Sequence, residues 1–282
     1  MPILVNNVKT VVLLAALVGL FVWVGAMLGS RTGMFMGLAI GLVMNFGAWY
    51  FSDTIAIRSM RGVEVDERTA PDLVRMVHRL ANQAGLPMPR VYVCPQEAPN
   101  AFATGRSPRR SAVAVTQGAL RLLDERELEG VMAHELAHIR NRDTLTSTIA
   151  ATIAGVFSMM AQWALLFGGR GTREGGHPFA ALAVILLGAV GSAIIKAMIS
   201  RSREYVADAD GARIAGSPEG LASALRKLES VARRVPMQTR NPAMNNLFIV
   251  EPFVGQTLTA LFATHPPTEK RIAALLGRRS DR

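Results

Sequence analysis

Four long runs without a charged residue set the terms for this chain: residues 11–28, 34–51, 145–167 and 179–195, of 18, 18, 23 and 17 residues. A helix needs about 20 apolar residues to cross a bilayer core, with about 17–25 tolerated. Each run therefore reads as a membrane span. A signal peptide is the alternative for the first run, but it lacks a convincing small-residue cleavage site. The second run also begins after only five residues, 29–33, which is the spacing of a tight helical hairpin. The third and fourth runs carry Thr, Ser or Gln, so buried core helices are the competing reading for them.

Orientation follows from the basic residues near the span ends. Lys9, Arg58, Arg61, Arg140, Arg142, Lys196, Arg201 and Arg203 fall on one side, and Arg31, Arg170 and Arg173 on the other. Positive residues collect on the cytoplasmic side, so eight against three places both termini and both large polar segments there. The net charge of +10 fits the same picture. No basic helix with interleaved aromatics is present, so nucleic-acid binding is not expected. The single cysteine, Cys94, cannot form an internal disulfide. Behind Val91-Tyr92-Val93 it reads as a small buried hydrophobe at a strand end rather than a catalytic thiol.

The polar segments read as a compact unit of helices and short strands. Pro71 suits a first helical turn and Gly85 a stop, with Leu73, Val74, Val77 and Leu80 at helical spacing between them. Strands are expected at residues 91–94, 100–104 and 112–116, separated by Pro and Gly. A helix starts near Asp124, with Glu125, Glu127 and Glu129 favouring its N-terminal dipole. After the fourth run a helix continues to about Ala215, Ser217-Pro218-Glu219 starts another, residues 235–263 look irregular, and Pro267 opens a short final helix. The glycine-rich residues 168–176 read as a hairpin turn, not a phosphate loop, because no strand precedes them.

Chemistry enters with His134-Glu135-Leu136-Ala137-His138. At about 100° per residue, His138 lies about 40° from His134, one turn away, and Glu135 falls between the faces of the two. Two imidazoles at i and i+4 can hold one zinc ion, and the intervening carboxylate is placed to take a proton from a water that the metal polarises. A third protein ligand must come from elsewhere. Position 144 is Thr, which removes the arrangement with a third His six residues on. Arg203-Glu204-Tyr205-Val206-Ala207-Asp208 supplies candidates: Glu204 and Asp208 are again i and i+4. One of them can bind the metal while the other holds the free ring nitrogen of a ligating His. The depth agrees. His138 precedes the third run by seven residues, and Glu204 follows Lys196 by eight. At about 1.5 Å per residue both stand about 10–12 Å above the hydrocarbon edge.

These residues together resemble the HtpX family of bacterial membrane metalloproteases, which is related to the CAAX prenyl proteases. The resemblance spans nearly the whole chain. It takes in the first hairpin of spans, Asn100-Ala101-Phe102-Ala103-Thr104-Gly105, the His134-to-His138 motif, the second hairpin, Ser202-Arg203-Glu204 through Asp208, and Thr264-His265-Pro266-Pro267 with Arg271. It implies an α+β membrane protein, mostly helical, with four transmembrane helices and a gluzincin-like zinc protease domain built on a small β-sheet. By matching position, His134, His138 and Glu204 bind one Zn2+, Glu135 is the base and Asp208 supports a ligand from behind. His265 supports substrate or the oxyanion, with a loop-ending histidine as the plain alternative. Asn100, Ala101, Phe102 and Ala103 form an edge strand that grips substrate main chain, ended by Gly105. The core motif shows no departure from the family; the glycine common after the Asn of the metal helix is Arg142 here, following Asn141, and no consequence attaches to it.

The domain reading is an N-terminal transmembrane hairpin (1–52), a first cytoplasmic protease part with the metal helix (53–144), a second hairpin (145–199) and a second protease part with the third ligand (200–282). The expected activity is zinc-dependent endopeptidase cleavage of membrane and misfolded proteins at the cytoplasmic face of the inner membrane, in stress response and protein quality control. The expected partners are polypeptide substrates and the lipid bilayer. Prenyl-peptide processing is an alternative, although four spans leave little room for a lipid-enclosing chamber. A non-catalytic zinc scaffold would have no use for Glu135. A motif buried within the bilayer is at odds with the flanking Glu129, Arg140 and Arg142.

Overall fold

The structure, a computed structural model, describes residues 2–144, 201–232 and 266–277. The third and fourth apolar runs, the irregular stretch at 235–263, His177 and His265 lie outside the described residues.

Helix α1 (Pro2–Tyr50) is helical along its length, but it is not one rod. A straight helix would hold Leu14 and Asn45 about 46 Å apart, at 1.5 Å per residue. Instead Asn45 Nδ2 donates to the Leu14 carbonyl at 2.8 Å. The chain reverses at Ser30, whose φ of 54° is left-handed. The two arms touch backbone to backbone: a Cβ on Gly25 would meet the Gly33 carbonyl oxygen at 2.1 Å. This is the helical hairpin that the spacing of the first two runs predicts. Counted over the described residues, no helix is long and apolar enough to cross a membrane. The outward side chains of the arms are nonetheless apolar and exposed, among them Val11, Val12, Phe35, Val43 and Phe46.

The hairpin leads through α2 (Ser52–Ser59) into a four-stranded mixed sheet. Its strands are β1 (Val63–Val65), β2 (Arg90–Cys94), β3 (Ala101–Ser107) and β4 (Arg110–Thr116), in the order β1-β2-β4-β3. β2 runs parallel to β4, and the other two pairs are antiparallel. Successive side chains on a strand point to opposite faces. Tyr92, Cys94, Phe102, Ala112 and Ala114 accordingly pack with Ala56, Ile57 and Met60 from α2 and the turn after it. Val91, Ala101, Ala103, Val113 and Val115 face the main core. Cys94 is fully buried and burial pushes its thiol up to about 12, so it stays protonated at neutral pH.

The main core is helical. α3 (Pro71–Ala84) starts on Pro71 and stops at Gly85 in the left-handed conformation, burying Leu73, Val74, Val77 and Leu80 as the spacing predicts. After α4 (Gln117–Leu122), α5 (Glu125–Asn141) opens with a capping box between Asp124 and Glu127. Glu127 is also buried, bound by Ser223 Oγ and, at 2.6 Å, by Lys227 Nζ from α7 (Glu219–Ala232). α6 (Arg201–Ala215) and α8 (Thr268–Leu275) complete the layer. Leu136, Ile139, Leu221 and Leu225 lie at its centre. Each such side chain contributes about 1.5–3 kcal/mol relative to exposure, and α5 packs against α3, α6, α7 and the sheet.

Two details differ from the sequence reading. β1 is not among the expected strands: it is three residues long and largely exposed, too short for a period-two pattern to show. Gly105 does not end its strand. Its φ of 133° marks an irregularity beside Arg110 and Ser111, and β3 continues to Ser107.

Candidate metal centre

His134 and His138 project from the buried part of α5, one turn apart, as the spacing requires. Their Nε2 atoms face each other at 3.1 Å. Across from them stands Glu204 on α6, with Oε2 3.8 Å from His134 Nε2 and Oε1 3.6 Å from His138 Nε2. One ligand atom from each of the three lies within 4.8 Å of the others. Tetrahedral nitrogen and oxygen ligands at about 2.0–2.1 Å from zinc stand about 3.3 Å apart from one another, so the donor set is already close to that spacing.

The outer ring nitrogens explain why the inner ones are free to donate. His134 Nδ1 lies 3.0 Å from Asp208 Oδ1, and His138 Nδ1 lies 3.2 Å from Asp143 Oδ2. An ionised carboxylate only accepts, so the Nδ1 hydrogens point at the carboxylates and each Nε2 is the nitrogen that offers a lone pair once any proton on it is displaced. Two imidazole lone pairs and a carboxylate converging on one point form a site for a cation. The same field draws a proton. Burial opposes charging His138, but Asp143, Glu204 and Glu135 outweigh it and hold its pKa at about 9.

The approach of α6 depends on Gly211. Glu204, Asp208 and Gly211 follow one helical face (i, i+4, i+7). A Cβ at position 211 would sit 2.9 Å from both Cα and N of His134. With only hydrogen there, α6 lies directly on the backbone of the metal helix and delivers both carboxylates to the imidazoles.

Glu135 is buried beside this cluster. Burial pushes its carboxyl upward, with His134, His138 and the Ala103 backbone N–H pulling the other way. The contact with Ala103 fits the sheet. Thr116 N donates to Asn100 O at 2.9 Å, so Asn100 and Thr116 form a hydrogen-bonded pair. Antiparallel pairs alternate, and Phe102 is therefore bonded to β4, whereas Ala101 and Ala103 turn their N–H and C=O groups to the outer edge. Among the described residues β3 is an edge strand. The Phe102 ring packs on the α2 side of the sheet, which leaves the small side chains of Ala101 and Ala103 on the other face. Asn100 is buried, its N–H tied to Thr116 Oγ1.

The roles of two residues escape the sequence reading. Asp143 reaches His138 because Arg142 ends α5 in the left-handed conformation, with φ 57° and ψ 32°. That conformation favours glycine, so the family's glycine at this position is the available signal. Arg271, fully buried on α8, donates from Nε and Nη2 to Asp208 at 2.9 and 2.7 Å. Its Nη1 lies 3.5 Å from Glu204, and its Nη2 lies 3.5 Å from His134 Nε2. One guanidinium thus braces two of the carboxylates around the site. His78 is exposed on α3.

Residues 67–279 match peptidase family M48. The chain belongs to peptidase family M48. Among its relatives, the HtpX protease homologues of Burkholderia mallei (strain SAVP1) and Burkholderia thailandensis are each 50% identical over 274 residues, 96% of this chain and 96% of the relative. The crystal structure of S. mikatae Ste24p aligns with a TM-score of 0.51 at 16% identity, covering 96% of this chain and 66% of that one. At that identity the likeness concerns the fold, so the helical layer and small mixed sheet form an M48 peptidase fold. Membership of M48 implies a metal ion, and the His134, His138 and Glu204 cluster is a donor set that fits one.

Proposed function

We propose that this chain is a zinc-dependent endopeptidase of membrane and misfolded proteins, anchored in the inner membrane with its site on the cytoplasmic side. The observation that carries the reading is the buried convergence of His134, His138 and Glu204 next to a buried Glu135 that touches an edge strand. When bound, zinc supplies a Lewis acid for the scissile carbonyl and for water. His134, His138 and Glu204 hold it, and Asp208 and Asp143 fix the two imidazoles from behind. Glu135 takes the proton from the attacking water. Its burial raises its proton affinity toward working pH, which suits a general base. Ala101 and Ala103 offer main-chain groups on the outer edge of β3, so a substrate strand can add there whatever its side chains. His265 serves the oxyanion in this reading, on the family match alone.

Metal removal tests the core of it. Chelator-treated protein should lose cleavage of an unfolded protein substrate, and added zinc should restore it. Zinc must displace the His138 proton below about pH 9, so the zinc needed for half-restoration should fall as pH rises toward that value. Full cleavage by metal-free protein would end the zinc assignment. The edge strand has its own test. Ala103→Pro removes the N–H beside Glu135 and should slow cleavage while zinc content is kept. A wild-type rate would send the search for the substrate cleft elsewhere.

The membrane reading rests on the four uncharged runs and on the exposed apolar arms of α1. The second arm, about 20 residues long, matches an approximately 30 Å hydrocarbon core. A cysteine at Glu174, in a Cys94→Ser background, should react with an impermeant thiol reagent outside intact cells, whereas one at Gln238 should not. The reverse pattern would invert the topology.

A further inference from the structure

The last residues of β3 and the turn into β4 have no part in the chemistry above, yet Arg106 locks them onto the end of the α1 hairpin. Arg106 Nη1 donates to the Tyr50 carbonyl at 2.6 Å. The same guanidinium lies 4.1 Å from the centroid of the Tyr50 ring and 5.6 Å from that of Trp49. Phe46 stacks on Tyr50 at 5.7 Å, and Phe51 meets Tyr50 edge-on at 4.9 Å. Aromatic rings gathered at the end of an apolar hairpin are the signature of the bilayer–water boundary. Arg106 therefore sits at headgroup height, given that α1 lies in the bilayer as proposed above.

The charge there lacks a counterpart in sequence. Residues 98–123 contain four arginines and no carboxylate. Arg121, the last of them, pairs with Glu97. Arg109 and Arg110 are exposed at the turn beside Arg106, and no ion pair joins any of these three to a carboxylate among the described residues. The turn is ordered, with Ser111 Oγ donating to Pro108 O at 2.8 Å. A guanidinium that caps one carbonyl and stacks on one ring still has N–H donors to spare, in the fork geometry that suits phosphate oxygens. At a membrane surface the abundant anion with that geometry is a lipid phosphodiester.

We propose that Arg106, Arg109 and Arg110, set over the aromatic end of the α1 hairpin, form a seat for the headgroup of an anionic phospholipid. The ring cluster packs against the upper acyl chains, Arg106 takes the phosphate from a fixed position, and the two exposed arginines add the preference for net negative charge. The seat lies on the strand that carries Ala103 to Glu135, so a bound lipid tethers the edge strand at a fixed height above the bilayer.

The test uses the full chain with Trp23→Phe and Trp163→Phe, which leaves Trp49 as the sole tryptophan. It is reconstituted in phosphatidylcholine vesicles containing either brominated phosphatidylcholine or brominated phosphatidylglycerol, and quenching of Trp49 is followed against mole fraction. A basic residue near an anionic surface strengthens association about fivefold. The association constant for phosphatidylglycerol relative to phosphatidylcholine should therefore be about five or more, and should fall with added salt. In Arg109→Gln/Arg110→Gln it should drop toward one, and in Arg109→Gln alone part of the way. Both positions are exposed, and an unchanged circular dichroism spectrum checks that the fold is kept. A ratio of one in the parent, or an unchanged ratio in the double variant, overturns the seat while the membrane reading stands. Absence of quenching by either lipid removes the membrane reading and the seat with it. If inorganic phosphate in the buffer abolishes the preference at constant ionic strength, the site takes free anion, and the lipid assignment is overturned.

Discussion

Glu135→Gln should abolish hydrolysis, by about 10²–10⁴-fold or more, with zinc content unchanged. The substitution keeps shape and volume, and the amide oxygen can still accept from the Ala103 N–H. It leaves His134, His138 and Glu204 with the carboxylates that orient the histidines. What it removes is the capacity to accept a proton from water. A second consequence separates this account from a purely structural role. Burial raises the Glu135 pKa in the folded chain. The ionised form is therefore a cost to folding that appears as pH rises above the ordinary carboxyl range. A neutral amide in its place carries no such cost. Metal-free Glu135→Gln should be as stable as the parent at acidic pH and more stable at neutral pH, measured by thermal unfolding. Cleavage at the parental rate, in material freed of host proteases, would sink the mechanism.

The parts of the site legible in the sequence are those fixed by local geometry. Helical periodicity alone puts His134, Glu135 and His138 on neighbouring faces, and the same rule groups Glu204 with Asp208. That these two turns meet depends on α6 lying against His134 at Gly211, and the sequence offers only a depth argument for it. Asp143 escapes notice because its reach depends on one backbone conformation, the left-handed Arg142, which no side-chain pattern encodes. Arg271 enters with the resemblance but without a role, because its partners lie 63 and 137 residues away. In the sheet, β2, β3 and β4 are readable as short segments bounded by Pro and Gly. Their order is not, because β1 is too short to signal itself and the parallel pairing of β2 with β4 is a tertiary choice. The reading of Gly105 as a terminator fails because a glycine at positive φ can bend a strand without ending it.

Arg271→Ala should be among the most damaging single changes outside the apolar runs, and zinc should partly reverse its effect. The Arg271 side chain is buried, pairs twice with Asp208 and borders Glu204. Removing it leaves two buried carboxylates without their guanidinium. Breaking a buried pair from one side costs about 3–5 kcal/mol, which corresponds to a loss of roughly 10 °C in thermal midpoint for a protein of this size. Arg271→Lys should recover part of this, because a point charge replaces the charge but not the two parallel hydrogen bonds to Asp208. A divalent ion held by Glu204 and the two histidines supplies positive charge to the same carboxylates. The deficit of Arg271→Ala should therefore be largest in metal-stripped protein and smaller in zinc-loaded protein. The ratio of the two midpoints' losses is the quantity to measure. Equal losses with and without zinc would show that Arg271 acts only as packing for α8. An unchanged midpoint in the stripped protein would show that Asp208 and Glu204 do not depend on it at all.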